Sequence, residues 1–454
     1  MRRELCPVET LYIAQRSRAV LSLRLRGRLD TAVLSEAFDS LTSANPSLRS
    51  RLCPGESGFA LELLPEEERP RLRVRDEGSE AGLERVYEEE LNTPLPVGVA
   101  LSRAVLARAA GSDRYLMMMV VDHAVTDGHS AIAVLNDLWD RYRALLAPDG
   151  GNGGVTAAHG LTDGAAEPPF PEPVSELLPA CDAEETEAYF QRRLAETSGP
   201  PVALVPYDVP APTDAGEEPA DAEPRHRIEV QRLLLDAAET EQVRRTAREN
   251  GVSVHGLVAA AMLKAARARV EGEGAVRLGC LSPVDLRSRL DPPLDPRVMT
   301  AAVASHLQTP EVAPESDPLV LAKEVTDRLR ESLDRGDHFQ EMRILPRVPQ
   351  HPLLQLGSVI VTNMGASRGP GVPEGLEVED VRLTPARENY FPQAGRSPVM
   401  ACVVSFDGRL AVEFPHYTAC FSRSFVQRLR DDVRGVLLAP AAGGAEAPSP
   451  APVA

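Results

Sequence analysis

His123 and Asp127 lie four residues apart inside residues 114–139, where an apolar stretch, a polar knot and an amphipathic stretch follow one another without a gap. An imidazole with an ordinary pKa near ~6.5 can accept a proton at neutral pH, and its use depends on which nitrogen is free and where it points. Asp127 could fix that orientation by pairing with a buried cation elsewhere in the chain. Gly128 would supply a backbone conformation, or a close approach, that a side chain would obstruct. The competing assignment is a core histidine followed by an ordinary Asp-Gly turn. His129 could be drawn with His123 and Asp127 as a metal site, but zinc usually takes histidines at i, i+4 or cysteine clusters, so no metal is expected. Ser130 lacks the G-x-S-x-G elbow of a serine nucleophile.

The flanking elements suit a held imidazole. Residues 115–121 are continuously apolar, as in a strand buried on both faces. Beyond Gly128, Ile132, Leu135 and Trp139 recur at helical spacing, with Ser130 or Asp127 placed to cap the helix start. Strand, loop and helix in that order would place His123 over a cleft. The rest of the first half reads as a strand from Leu21, a helix capped by Asp30, short strands at 59–64 and 72–74, a helix at 81–91 and a strand at 99–106. The second half reads as a strand at 227–235, helices at 237–250 and 253–270, and a buried-type strand at 276–283 running into Asp285 and Arg287. A strand at 302–308, a helix at 318–333, a strand at 355–362, a hairpin turning at Asp407-Gly408 and a helix capped by Ser422 follow.

A chain of 454 residues exceeds what one hydrophobic core usually serves. The composition divides it into an N-terminal lobe over 1–209 with a mobile surface loop at 148–173, a polar linker at 210–225, a C-terminal lobe over 226–440 and a disordered tail at 441–454. A formal charge of -18 argues against nucleic acid and anionic membranes as partners. The six cysteines are scattered without a C-x-x-C pair, which disfavours structural zinc and a disulfide framework and suits a reducing, cytoplasmic setting. Glu4, Glu9 and Gln15 interrupt any signal-peptide core, and no apolar run reaches membrane-spanning length.

His123-Ala-Val-Thr-Asp127-Gly128 resembles the H-x-x-x-D-G signature of the superfamily of chloramphenicol acetyltransferase, nonribosomal condensation domains and polyketide-associated acyltransferases, among them the phthiocerol dimycocerosyl transferases. Asp285-Leu-Arg287-Ser-Arg289 is similar to that superfamily's D-L-R-x-R segment, Thr362-Asn363-Met-Gly365 to its T/S-N-x-G strand end, and residues 34–52 to its first helix and following P-x-L-R-x-R-L. The resemblance implies an α/β fold of two chloramphenicol-acetyltransferase-like lobes, each a mixed sheet flanked by helices, with a channel between them. It implies acyl transfer from a thioester, of coenzyme A or of an acyl carrier protein's phosphopantetheine arm, to a small-molecule alcohol. His123 would be the general base, and Asp127, Gly128 and Arg287 would order its loop, Arg287 pairing with Asp127 across the lobes. Asp122, His129 and Asn363 would border the channel. No bound cofactor and a monomer are expected. Asp122 stands where condensation domains carry a first histidine, which weakens the alternative of a free-standing, amide-forming condensation enzyme. A non-catalytic module that docks carrier proteins is the other alternative.

Overall fold

The computed structural model describes residues 1–56, 58–147, 167–209, 226–388 and 398–439. The linker at 210–225, the tail at 441–454 and most of the loop at 148–173 lie outside the described residues. Of that loop, residues 167–173 are described, and these seven are held in place: Phe170 is buried in the first core and Glu167 pairs with Arg49. One aromatic is enough to anchor a stretch whose composition is otherwise that of a loop.

Two mixed sheets organise the protein. The first has five strands in the order Leu376–Arg387, Ser17–Gly27, Arg114–Asp122, Ser102–Ala109 and Leu72–Glu77. Its central strand explains its own apolar run. Met117, Met119 and Val121 face the core formed with the helices Thr31–Ala44 and Gly128–Leu146, while Leu116, Met118 and Val120 face the core formed with the helix Glu80–Asn92. Both sides of the pleat are covered, so neither register can be polar.

The second sheet has six strands in the order Val303–Gln308, Cys280–Asp285, Val359–Ala366, Val399–Phe406, Arg409–Tyr417 and Ile228–Leu235. One face packs on helices: Val359, Val361, Val399, Ala401 and Val403 share a core with Ala259, Ala260 and Leu263 of Val254–Arg267 and with Phe425 and Leu429 of Arg423–Leu438. The small side chains of Val254–Arg267 let that helix lie close to the sheet. Its opposite face, including Leu281, Ile360 and Met400, turns toward the first lobe.

One element departs from a division at residues 209 and 226. The strand Leu376–Arg387 lies in sequence between the second-sheet strands Val359–Ala366 and Val399–Phe406, yet pairs antiparallel along the whole of Ser17–Gly27 in the first sheet. It remains tied to the second sheet by charge. Arg382 makes a bidentate pair with Glu413 at 3.0 Å for both bonds, and Arg232 donates to Asp380 at 2.7 Å. The second lobe thus supplies an edge strand to the first, and the strand carries the cavity-facing Leu383, Pro385 and Arg387 into the space between the sheets.

Candidate active site

The loop after the central strand is held by short, mutually reinforcing bonds. His123 donates its backbone N–H to the Ser17 carbonyl at 2.9 Å, continuing the sheet ladder by one residue. Asp127 is the N-cap of Gly128–Leu146: its Oδ1 accepts from the Ser130 backbone N–H at 2.8 Å, and its own N–H donates to Ser130 Oγ at 2.9 Å. Such a reciprocal cap contributes about 1 kcal/mol. The other carboxylate oxygen reaches across the lobes. Asp127 Oδ2 accepts from Arg287 Nη2 at 2.8 Å, Arg287 Nε at 3.2 Å and the Ala302 backbone N–H at 2.9 Å.

Every guanidinium nitrogen of Arg287 is engaged. Its Nη1 donates to the Asp295 carbonyl at 3.0 Å and its Nη2 also to the Thr300 carbonyl at 2.8 Å, while Arg289, two residues on, is exposed. Both Asp127 and Arg287 are buried, at 3% exposure each. A charge pair taken out of water is tolerated only when further hydrogen bonds support it, and here every guanidinium nitrogen and both carboxylate oxygens are bonded. Gly128 opens the helix for a reason of space: a Cβ there would run into the Met364 sulfur and the Leu383 side chain.

A cavity of about 350 Å³ lies between the two sheets beside this loop. His123, Asp127, Gly128 and His129 border it from the first lobe, with Asp285, Asn363 and Met364 from the second. His129 Nδ1 stands 3.9 Å from Asp285 Oδ1, and the Asn363 side chain accepts from the Gly365 backbone N–H at 2.8 Å, which fixes its amide at the cavity edge. His123 is half-buried. Burial, reinforced by the Arg387 charge, pushes its pKa down to about 4, with backbone groups at His123 and Thr126 and the Asp127 carboxylate acting the other way. The ring is therefore neutral at physiological pH, the form a proton acceptor needs.

Asp122 is placed elsewhere. It faces a separate depression with Ile13, Arg16, Arg18 and Leu52, and its Oδ1 accepts from the Ala124 backbone N–H at 2.8 Å. Burial raises its pKa to about 7. The expectation that it borders the channel is thus corrected. In an extended strand successive side chains point to opposite sides, so Asp122 and His123 part company.

Two cavity residues were not foreseen from the sequence. Tyr12, on the helix Pro7–Ala14, stacks on the His123 ring with centroids 4.3 Å apart and planes 5° from parallel. Burial raises its hydroxyl pKa to about 12. The helix had a readable start: Pro7 at the first position, and Glu9 accepting from the Cys6 backbone N–H at 2.8 Å. Arg387, the second, ends the crossover strand, which gave no local sign of where it would pair. Among the described residues no group of three histidine, cysteine or acidic side chains is placed to hold a metal ion.

Two sheets meeting over a cavity, with an imidazole held at a capped helix start, define a class that comparison with known proteins places. Residues 224–415 match the family model of the phthiocerol/phthiodiolone dimycocerosyl transferase C-terminus. The phthiocerol/phthiodiolone dimycocerosyl transferase of Mycobacterium leprae is 26% identical over 344 residues, 74% of each chain. Among solved structures, polyketide synthase associated protein 5 from Mycobacterium tuberculosis superposes with a TM-score of 0.68 at 20% identity, covering 96% of this chain and 98% of that one. The first condensation domain of the calcium-dependent antibiotic synthetase does so with a TM-score of 0.68 at 19% identity, covering 97% and 98%. The fold is that of the chloramphenicol-acetyltransferase-like condensation domains and acyltransferases, and the C-terminal half is similar in sequence to the dimycocerosyl transferases among them. These relatives are named as dimycocerosyl transferases, and acyl transfer is the class of activity they support. No helix among the described residues is long and apolar enough to cross a membrane.

Proposed function

We propose that this protein is a stand-alone O-acyltransferase in which His123 is the general base. A hydroxyl acceptor in the cavity gives its proton to the imidazole as its oxygen attacks a thioester carbonyl. The new C–O bond forms, the C–S bond breaks, and the departing thiolate recovers the proton from the imidazolium. No acyl-enzyme is needed, and orientation supplies much of the gain. Asp127, Gly128 and Arg287 are positioning residues that hold the loop, while His129 and Asn363 face the substrates. The observation that supports this reading most is a neutral, half-buried imidazole opening onto the cavity between the lobes.

The donor is a thioester of coenzyme A or of a carrier protein, and the acceptor a small alcohol. We place the enzyme, as a monomer, in the cytoplasm, where both donors are made. The test is a panel of acyl thioesters on coenzyme A and on a carrier protein, offered with alcohol and amine acceptors and read by mass spectrometry. Esters support the proposal. Amides alone would make it a condensation enzyme, and binding of acyl carrier protein without transfer would make it a docking module.

A further inference from the structure

A second cavity, of about 610 Å³, lies beyond the first and is bordered by Thr197, Arg277, His306, Leu307 and Leu356 among others. It wraps the outer edge of the second sheet, where His306, Leu307 and Gln308 of the edge strand border it, and Leu307 is the one of these that points to the face of the first cavity. Val303, Ser305 and Leu307 alternate along the edge strand opposite Asp285, Pro283 and Leu281 of its antiparallel neighbour. Val303, Ser305, Asp285, Pro283 and Leu281 border the His123 cavity, whereas Leu307 borders the second. Leu307 also packs in a four-membered apolar cluster with Leu281, Ile360 and Met400, and those three border the His123 cavity. One layer of aliphatic side chains therefore separates the two spaces.

The first cavity is graded along the same direction. Its loop end carries His123, His129, Asp285 and Asn363, while the end at the partition is Leu281, Ile360 and Met400. From Val303 to Leu307 the strand advances about 13 Å at ~3.3 Å per residue. A polar head and a hydrocarbon tail fit that gradient in one orientation only. We propose that Leu307, with Leu281, Ile360 and Met400, forms the end wall that sets the length of the acyl chain, and that the second cavity is the space a longer chain enters when the wall is removed. The inference rests on the acyl-transfer reading for its ligand class, a saturated acyl chain of medium length.

The test reads binding and not turnover. Calorimetry with saturated carboxylates lengthened two carbons at a time should show affinity rising about fourfold per methylene while chain is being buried, then a break where the chain meets the wall. Leu307→Ala should move the break to longer chains, and Leu307→Phe, which adds bulk and does not depend on tolerating a void, should move it no further than the unmodified protein. A break at the same length in all three proteins, or affinity independent of length in the unmodified protein, would overturn the wall. Length-dependent binding without any ester product would instead count against acyl transfer and leave the wall standing.

Discussion

Asp127 and Arg287 form a buried ion pair across the two lobes, with Arg287 Nη2 donating to Asp127 Oδ2 at 2.8 Å while Asp127 Oδ1 caps the helix Gly128–Leu146. One carboxylate thus fixes both the start of the helix that follows His123 and the docking of the second lobe against it. Removing either partner leaves a charge buried without its counter-ion, which typically costs about 3–5 kcal/mol. Arg287→Ala and Asp127→Ala are each expected to lower stability on that scale in denaturant unfolding. The double variant should fall well short of the sum. Strictly additive losses would falsify the coupling.

His123→Ala should leave the unfolding transition close to that of the unmodified protein and reduce transfer ~10²- to 10⁴-fold, the usual loss of a general base. With the His123 pKa held at about 4, the acid limb of kcat/KM should fall near pH 4, and the rate should not decline between neutrality and pH 5.5 on account of this group. An acid limb centred near ~6.5, the ordinary imidazole value, would show that the base is not buried as the structure has it.

Tyr12 tests the ring stack. Tyr12→Phe preserves the stacked face and should transfer at close to the normal rate. Tyr12→Ala removes a contact of the kind worth about 0.5–1.5 kcal/mol, so a rate loss of up to roughly tenfold is expected. It also uncovers the imidazole, so the His123 pKa should climb from about 4 toward its ordinary value in an NMR titration. An unmoved pKa would mean that Tyr12 only fills space.

Gly128→Ala places a methyl against the flexible end of Met364 and against Leu383, and because the thioether can swing aside the cost should fall at or below the low end of the about 1–3 kcal/mol typical of overpacking. The cost should shrink when Met364→Ala is combined with it, because the sulfur is the nearest obstacle. If the second change adds its own loss and restores nothing, Gly128 is needed for another reason.

Asp122 should mark the pH dependence of stability and not that of the reaction. Its folded pKa, about 7, lies above the ordinary 3.8, so between those values the folded state keeps a proton that the unfolded chain has released. Its contribution is therefore fully present below pH 3.8 and lost as pH rises toward 7. Asp122→Asn keeps an acceptor for the Ala124 N–H and removes the ionisation. Melting temperatures across this range should then depend less on pH, and an unchanged slope would refute the assignment.

The sequence by itself determined the motif loop and its two neighbours. A strand covered on both faces must be apolar at every position, as residues 115–121 are, and an aspartate before a glycine-led helix is a local capping signal. Those requirements are met within a few residues, so they are written in spacing. Arg287 entered only through resemblance to a known segment, since nothing near it in the chain says which carboxylate it meets. The tertiary structure alone decided the rest. Tyr12 reaches His123, and Leu376–Arg387 joins Ser17–Gly27, through pairings between distant parts of the chain. Asp122 was placed on the wrong side of the loop because a resemblance aligns positions along the chain, whereas the side a residue faces is set by the pleat of the strand that carries it. Phe170 anchors a loop-like stretch for a related reason: composition averages over residues, and burial is decided by one side chain finding a core.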